Sequence, residues 1–255
     1  MKGIVITGAS SGLGAGLARA YAEPGVCLGL VARNAERLTL TAAYCRERGA
    51  EVIEFVADVA QSATMSDWLL SFDAQHPIEL LIANAGTSAG PARAEPSEGL
   101  ERASLQIRTN LLGVVNTLEP VIGRMAARRQ GRIGVVASVA GFRGLPDSPA
   151  YSASKAGIRI YGEALRPRLR RYGISVTVIC PGFFDTPMTD RFKGSKPFLR
   201  SLEATTALVK TALDRRRRRL FFPWPLVLGL RFIDLIPASL GDIFVKAMRF
   251  HIASE

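Results

Sequence analysis

Tyr151 and Lys155 stand four positions apart, and Ser138 lies thirteen residues upstream of the tyrosine. On a helix, side chains four apart share one face with Cβ atoms roughly 6 Å apart, so the lysine ammonium can sit beside the phenol. A phenol titrates near ~10 in water and exchanges protons poorly at neutral pH, whereas a fixed positive charge beside it favours the phenolate and makes it a better acid. Tyr151 is thereby a candidate proton shuttle. A Tyr and a Lys at this spacing are also ordinary helix-surface neighbours, so the assignment needs a second signal from elsewhere in the chain.

That signal is the run Thr7-Gly8-Ala9-Ser10-Ser11-Gly12-Leu13-Gly14, which follows the apolar strand pattern Gly3-Ile4-Val5-Ile6 directly. Glycines in a strand-to-helix turn let the backbone approach a pyrophosphate and aim helix-start amides at it. Helix starts and tight turns use glycine too. Position at the end of the first strand of an alternating chain favours dinucleotide binding.

The elements that must hold these residues read as a strict alternation. Apolar strand patterns at about 26–32, 51–56, 78–83, 132–137 and 174–180 are separated by helical patterns at about 35–48, 62–75, 86–129 and 149–172. Strands that are apolar throughout, between amphipathic helices, predict a single α/β domain with a doubly wound, Rossmann-type parallel sheet covered on both faces. Ligands of such sheets bind beyond the carboxyl ends of the strands. Gly8 to Gly14, Arg33, Asp58, Asn84-Ala85-Gly86, Ser138 and Pro181-Gly182 all fall just after predicted strands, on one rim.

With these pieces in place the chain resembles the short-chain dehydrogenase/reductase family over about residues 3 to 190. The resemblance rests on Thr7 to Gly14, Asp58-Val59, Asn84-Ala85-Gly86, Asn110, Ser138, Tyr151 with Lys155, and Pro181-Gly182 with Thr186. It departs from the family at Ala83, where a second asparagine is common. The resemblance implies that Tyr151 is general acid in reduction and base in oxidation. Lys155 would lower its pKa and hold the nicotinamide ribose, Ser138 would bond the substrate oxygen, and Asn110 would fix a water in the proton relay. Asp58 would meet adenine beside Val59, and Thr186 would bond the nicotinamide carboxamide. Dimers or tetramers are usual in the family.

Cofactor choice is set after the second strand, where a carboxylate would bond a ribose 2′-hydroxyl and a cation would accept a 2′-phosphate. The chain offers Ala32-Arg33-Asn34 and no acid there, which points to NADP(H) over NAD(H). Residues from about 187 to 200 form the expected substrate lid, with Phe183, Phe184, Met188, Phe192 and Phe198 as candidate walls. So many aromatics suggest an apolar or extended substrate, although any one of them can equally be core.

The catalytic domain is expected to span 1–212, and 213–255 to form a basic and apolar appendage. Arg215 to Arg219 precede the apolar stretch from Leu220 to Leu230, which is too short and proline-broken to span a bilayer. Two readings are open: contact with an anionic membrane through residues 215–250, or a helical arm over the chain's own cleft or a partner subunit.

Composition agrees with a compact globular protein, with 48% hydrophobic and 22% charged residues. The net charge of +11 favours an anionic partner, but no nucleic-acid recognition module is visible. Cys27, Cys45 and Cys180 show no metal spacing, and His76 and His251 are too scattered for a zinc site, so no metal is expected. The first strand follows Met1 closely, without a signal pattern, and a cytoplasmic protein is expected, at the inner face of a membrane if the tail binds there. The reading is an NADPH-dependent ketone or aldehyde reductase, or the reverse alcohol dehydrogenase. The alternative is a non-catalytic NADP-binding, redox-sensing interaction protein, for which the proton relay would be superfluous.

Overall fold

The computed structural model describes residues 2–90, 95–193, 196–233, 235–247 and 251–252. Residues 194 and 195 of the expected lid, and Asp234, 248–250 and 253–255 of the expected appendage, lie outside the described residues.

The first half alternates without exception: β1 (Lys2–Thr7), α1 (Gly12–Tyr21), β2 (Val26–Ala32), α2 (Ala35–Glu47), β3 (Glu51–Val56), α3 (Ser62–Gln75) and β4 (Ile78–Ala83). The predicted long helix resolves into α4 (Leu100–Ile107), a π-helical turn Arg108–Leu112, and α5 (Gly113–Arg128). Then come β5 (Gly131–Val136), α6 (Pro149–Arg170) and β6 (Ile174–Pro181). Beyond them lie α7 (Pro187–Asp190), β7 (Phe192–Lys193), α8 (Leu202–Asp214), β8 (Arg219–Phe222), α9 (Trp224–Ile233), α10 (Ala238–Ala247) and β9 (His251–Ile252).

Seven strands form one parallel sheet in the order β3-β2-β1-β4-β5-β6-β8. Every residue of β2 is buried, as an unbroken apolar run between two helical layers requires. One face packs Val5, Leu81, Val135 and Val178 against α3, α5 and α6. The other packs Ile4, Leu28, Leu80 and Ile179 against α1, α2 and α8. Each large apolar side chain withdrawn from water contributes roughly 1.5–3 kcal/mol. Ion pairing reinforces one seam: buried Asp73 accepts from Ile78 N at 2.9 Å and holds Arg128 through two contacts of 2.8 Å, joining α3, β4 and α5.

The boundary expected at residue 212 moves. β8 pairs in parallel with β6, Arg219 opposite Val178 and Phe222 opposite Pro181, so the sheet domain runs to Phe222. Leu220 and Phe222 turn into the core while Phe221 is half-buried, and that intervening aromatic hid the strand alternation. The same strand separates the arginine run from the apolar helix. Arg215 to Arg218 lie at its amino end and Trp224 beyond its carboxyl end, with four residues and roughly 13 Å of strand between them. All three cysteines are buried thiols. Among the described residues no helix is long and apolar enough to cross a membrane.

Candidate active site

Strand order reverses between β1 and β4, and a cleft of about 490 Å³ opens there, above the carboxyl ends of the strands. Its floor is the turn from β1 into α1. Gly8 and Gly12 take φ of +69° and +51°, a region unfavourable to side chains. A Cβ on Gly14 would fall 2.1 Å from Gly8 O. Thr7 and Asn84 lock this turn to the end of β4: Asn84 N and Ala85 N each donate to Thr7 Oγ1 at 3.1 Å, and Asn84 Nδ2 donates to Thr7 O at 2.9 Å. Gly8, Ser10, Ser11, Gly12 and Leu13 line the cleft, while Gly14 sits behind them in the helix.

At one end of the cleft stand Arg33, Asn34 and Asp58. Asn34 caps α2, its Oδ1 accepting from Arg37 N at 2.8 Å, and the turn it begins brings Arg37 to the cleft as well. Arg37 is a second guanidinium that the sequence reading overlooked, one helical turn after Arg33. Asp58 Oδ1 accepts from Ala60 N at 2.9 Å, and Val59 packs into the core beneath.

The other end gathers the chemistry. Ser138 leaves β5, Tyr151 and Lys155 leave the first turns of α6, and all three line the cleft with Asn84, Ala85 and Gly86. Pro149 at the first helical positions starts α6 where its side chains face the strand ends. The Ser138 hydroxyl stands beside the Tyr151 phenol in the cleft, and its Oγ accepts from Ala140 N at 3.1 Å. Lys155 Nζ donates to Val136 O at 3.0 Å and lies 5.8 Å from the centre of the Tyr151 ring. A Cβ on Gly86 would lie 3.2 Å from Asn110 Oδ1 and 3.3 Å from Lys155 Nζ, so glycine keeps this corner open.

Asn110 occupies the π-helical turn, a distortion that recurs at functional sites. Its side chain is held by protein: Oδ1 accepts from Thr87 N at 2.7 Å, and Nδ2 donates to Thr87 O at 2.9 Å and Ser154 Oγ at 3.1 Å. It therefore ties α6 to the segment after β4. Pro181, Gly182, Phe183, Phe184, Thr186, Met188 and Phe192 line the cleft from the β6 side. Thr186 Oγ1 caps α7 through Thr189 N at 3.1 Å. Phe198 is a correction: it is exposed and forms no part of the wall, whereas Leu226 and Leu230 of α9 do. The tail covers its own cleft with one helix face, which apolar composition alone could not distinguish from a membrane face.

Burial sets the protonation of this end. It pushes the Tyr151 phenol up from its ordinary value, with the neighbouring Ser138 hydroxyl pulling the other way and Cys180 adding to the rise. Burial likewise pulls the Lys155 amine down to about 8. Between about 8 and the ordinary 10.5 the unfolded chain binds more protons at this lysine than the folded one, so the group adds stability as pH rises through that window. The stability difference between wild type and Lys155→Met is expected to grow in favour of wild type by on the order of 2 kcal/mol from pH 8 to 10. Denaturant titrations of both proteins at the two pH values read it, and a flat difference would mean the amine is solvated.

The residues fit a dinucleotide. The glycine turn is a cradle that any Cβ would fill, and Thr109 Oγ1 is buried at the cleft with no hydrogen-bond partner among the described residues. At the opposite end of the strands, the sheet register sets Cys27 beside Glu51 and brings His76 to them, their ligand atoms within 4.8 Å of one another. Sequence spacing had not shown that cluster.

Residues 2–196 match the model of the short chain dehydrogenase family. The chain belongs to that family. It is 34% identical to an uncharacterized oxidoreductase of Myxococcus xanthus over 96% of each chain. It is 31% identical to a ketoacyl reductase of a Nostoc species, over 83% of this chain and 74% of that one. Among solved structures it superposes on a short-chain dehydrogenase from Sphingobium yanoikuyae in complex with NADPH, with 26% identity, a TM-score of 0.78, and 91% of this chain and 94% of that one covered. The protein is a nicotinamide-dependent oxidoreductase of this family acting on CH–OH or C=O groups.

Proposed function

We propose that this short-chain dehydrogenase is an NADPH-dependent reductase of an apolar ketone of the ketoacyl kind, able to run in reverse as an alcohol dehydrogenase. The observation that carries the reading is the convergence of Ser138, Tyr151 and Lys155 on a cleft whose walls include Phe183, Phe184, Met188, Phe192, Leu226 and Leu230. A bound nicotinamide supplies the hydride. Ser138 Oγ and Tyr151 Oη orient the substrate oxygen and stabilise the charge that develops on it, and Tyr151 Oη delivers the proton. Lys155 holds the ribose hydroxyls of the cofactor, while Asn110 keeps α6 in register with the segment that carries Gly86. Thr186 and the Pro181-Gly182 turn hold the carboxamide end. The apolar walls exclude water and accept the substrate chain.

Preference for NADPH follows from Arg33 and Arg37 together at the ribose end without a facing carboxylate on the β2 turn. Arg33→Asp combined with Arg37→Ala is expected to raise the KM for NADPH at least tenfold and to leave or improve that for NADH. An unchanged ratio would take both residues out of the phosphate site. The assembled proton relay supports catalysis over a binding-only role. NADPH oxidation followed across 3-ketoacyl thioesters, steroids and keto-sugars tests the substrate class, and a preference for keto-sugars would sink it. A homodimer or homotetramer is expected by light scattering, and the apolar cleft supports a substrate presented by a membrane.

A further inference from the structure

The C-terminal helices carry an exposed apolar face that the fold does not use. In α9, Val227, Leu230 and Ile233 are buried, and Leu226 and Leu230 reach the cleft. On the other side of the helix, Trp224, Leu228 and Phe232 recur every four residues, and with Leu235 they are 60–82% exposed. In α10, Leu240 and Ile243 add two more exposed apolar side chains, and the Arg143–Asp242 pair at 3.2 Å holds this helix against the loop after β5. Across the cleft, Pro197 lines the wall while the next two residues, Phe198 and Leu199, point outward. An exposed apolar stripe along one face of α9, with further exposed apolar side chains on α10 and beside the cleft, marks a contact surface.

We infer that this face rests on an anionic lipid surface, so that the cleft opens toward the bilayer and takes a long-chain ketone from it; the substrate half of this statement rests on the function proposed above. Three observations favour lipid as the occupant. The apolar stripe begins with an indole, is bordered by Arg231, and carries no carboxylate along α9, the pattern of an interfacial helix on a chain with net charge +11. It is too short to span, and no described helix is a candidate for crossing. The face also adjoins the cleft that Leu226 and Leu230 line. A protein seated there would have to leave for an apolar substrate to enter, whereas a bilayer both covers the face and dissolves the substrate. The arginine run is not part of the surface, since β8 places Arg215 to Arg218 at the far end of the sheet edge.

The experiment uses the full chain with phosphatidylglycerol-containing vesicles. Wild type should co-sediment with them, and Trp224→Ser/Leu228→Ser/Phe232→Ser should lose at least tenfold in partitioning. The triple variant should turn over a short water-soluble ketone like wild type and a long-chain ketone in vesicles at least tenfold more slowly. Tryptophan emission should shift to the blue on vesicles in wild type, because half-buried Trp68 is already stacked on Phe55 whereas Trp224 is exposed. Replacing Arg215 to Arg218 with glutamine should reduce retention less than the triple variant does. Absence of wild-type retention, equal retention of the triple variant, or complete loss in the arginine variant would each overturn the assignment. If instead the triple variant converts a wild-type dimer to monomer with vesicle retention unchanged, the face belongs to a second copy. Vesicle retention without turnover of any ketone would sink the proposed function and leave the surface standing.

Discussion

Tyr151→Phe is expected to lower turnover by ~10²–10⁴-fold, the usual worth of a positioned proton donor, with affinity for NADPH close to wild type. The substitution removes one oxygen from a ring whose packing on α6 is otherwise retained. It strips the cleft of the hydroxyl that stands beside Ser138, while Lys155 still donates to Val136 O and the glycine turn is untouched. Hydride can still be offered, but the alkoxide that forms has no proton source fixed beside it. Single-turnover rates and NADPH fluorescence titration separate the two effects. Undiminished turnover would hand the proton to another group and end the mechanism; a parallel loss of NADPH binding would make the phenol part of the nucleotide site instead.

The second large effect is expected at Gly14. Its added Cβ would meet Gly8 O at 2.1 Å and Asn84 Nδ2 at 2.6 Å, well inside contact distance, and the first of these is backbone. Neither neighbour is free to retreat, because Thr7 and Asn84 are bonded across the rim. Gly14→Ala therefore forces α1 away from the β1 turn and misaligns the amides at the helix start. NADPH affinity should fall at least a hundredfold and thermal stability should drop. Gly123→Ala, at a helical glycine of α5 whose added Cβ meets nothing within 4 Å, serves as a control that should bind NADPH normally. Wild-type affinity in Gly14→Ala would mean that the turn adapts and that its glycines are not the cradle.

Much of this was legible in the residues because it is local. The β1 turn, the Tyr151/Lys155 pair on one helix face and the run of apolar strands each declare themselves within a dozen positions, and the strand ends then fall on one rim by topology. Contacts formed only by folding were harder to read. Arg37 reaches the cleft because Asn34 begins a helix that returns it there, and Leu226 and Leu230 do so because β8 carries the chain back to the rim. β8 itself was obscured: four residues, the first of them the last of five arginines, present too little pattern, and Phe221 breaks the alternation. Spacing likewise gives the proximity of Lys155 to Tyr151 but not the burial that dominates both groups.

The three cysteines carry a practical consequence. Each thiol is enclosed, and burial holds them up at about 11 for Cys27 and Cys45 and about 12 for Cys180, far from the thiolate that alkylating reagents attack. The native chain should be silent toward maleimides. A single cysteine introduced at Leu235 would then be the one label, and a nitroxide attached there would report its depth against oxygen and nickel relaxation agents without removing any native sulfur.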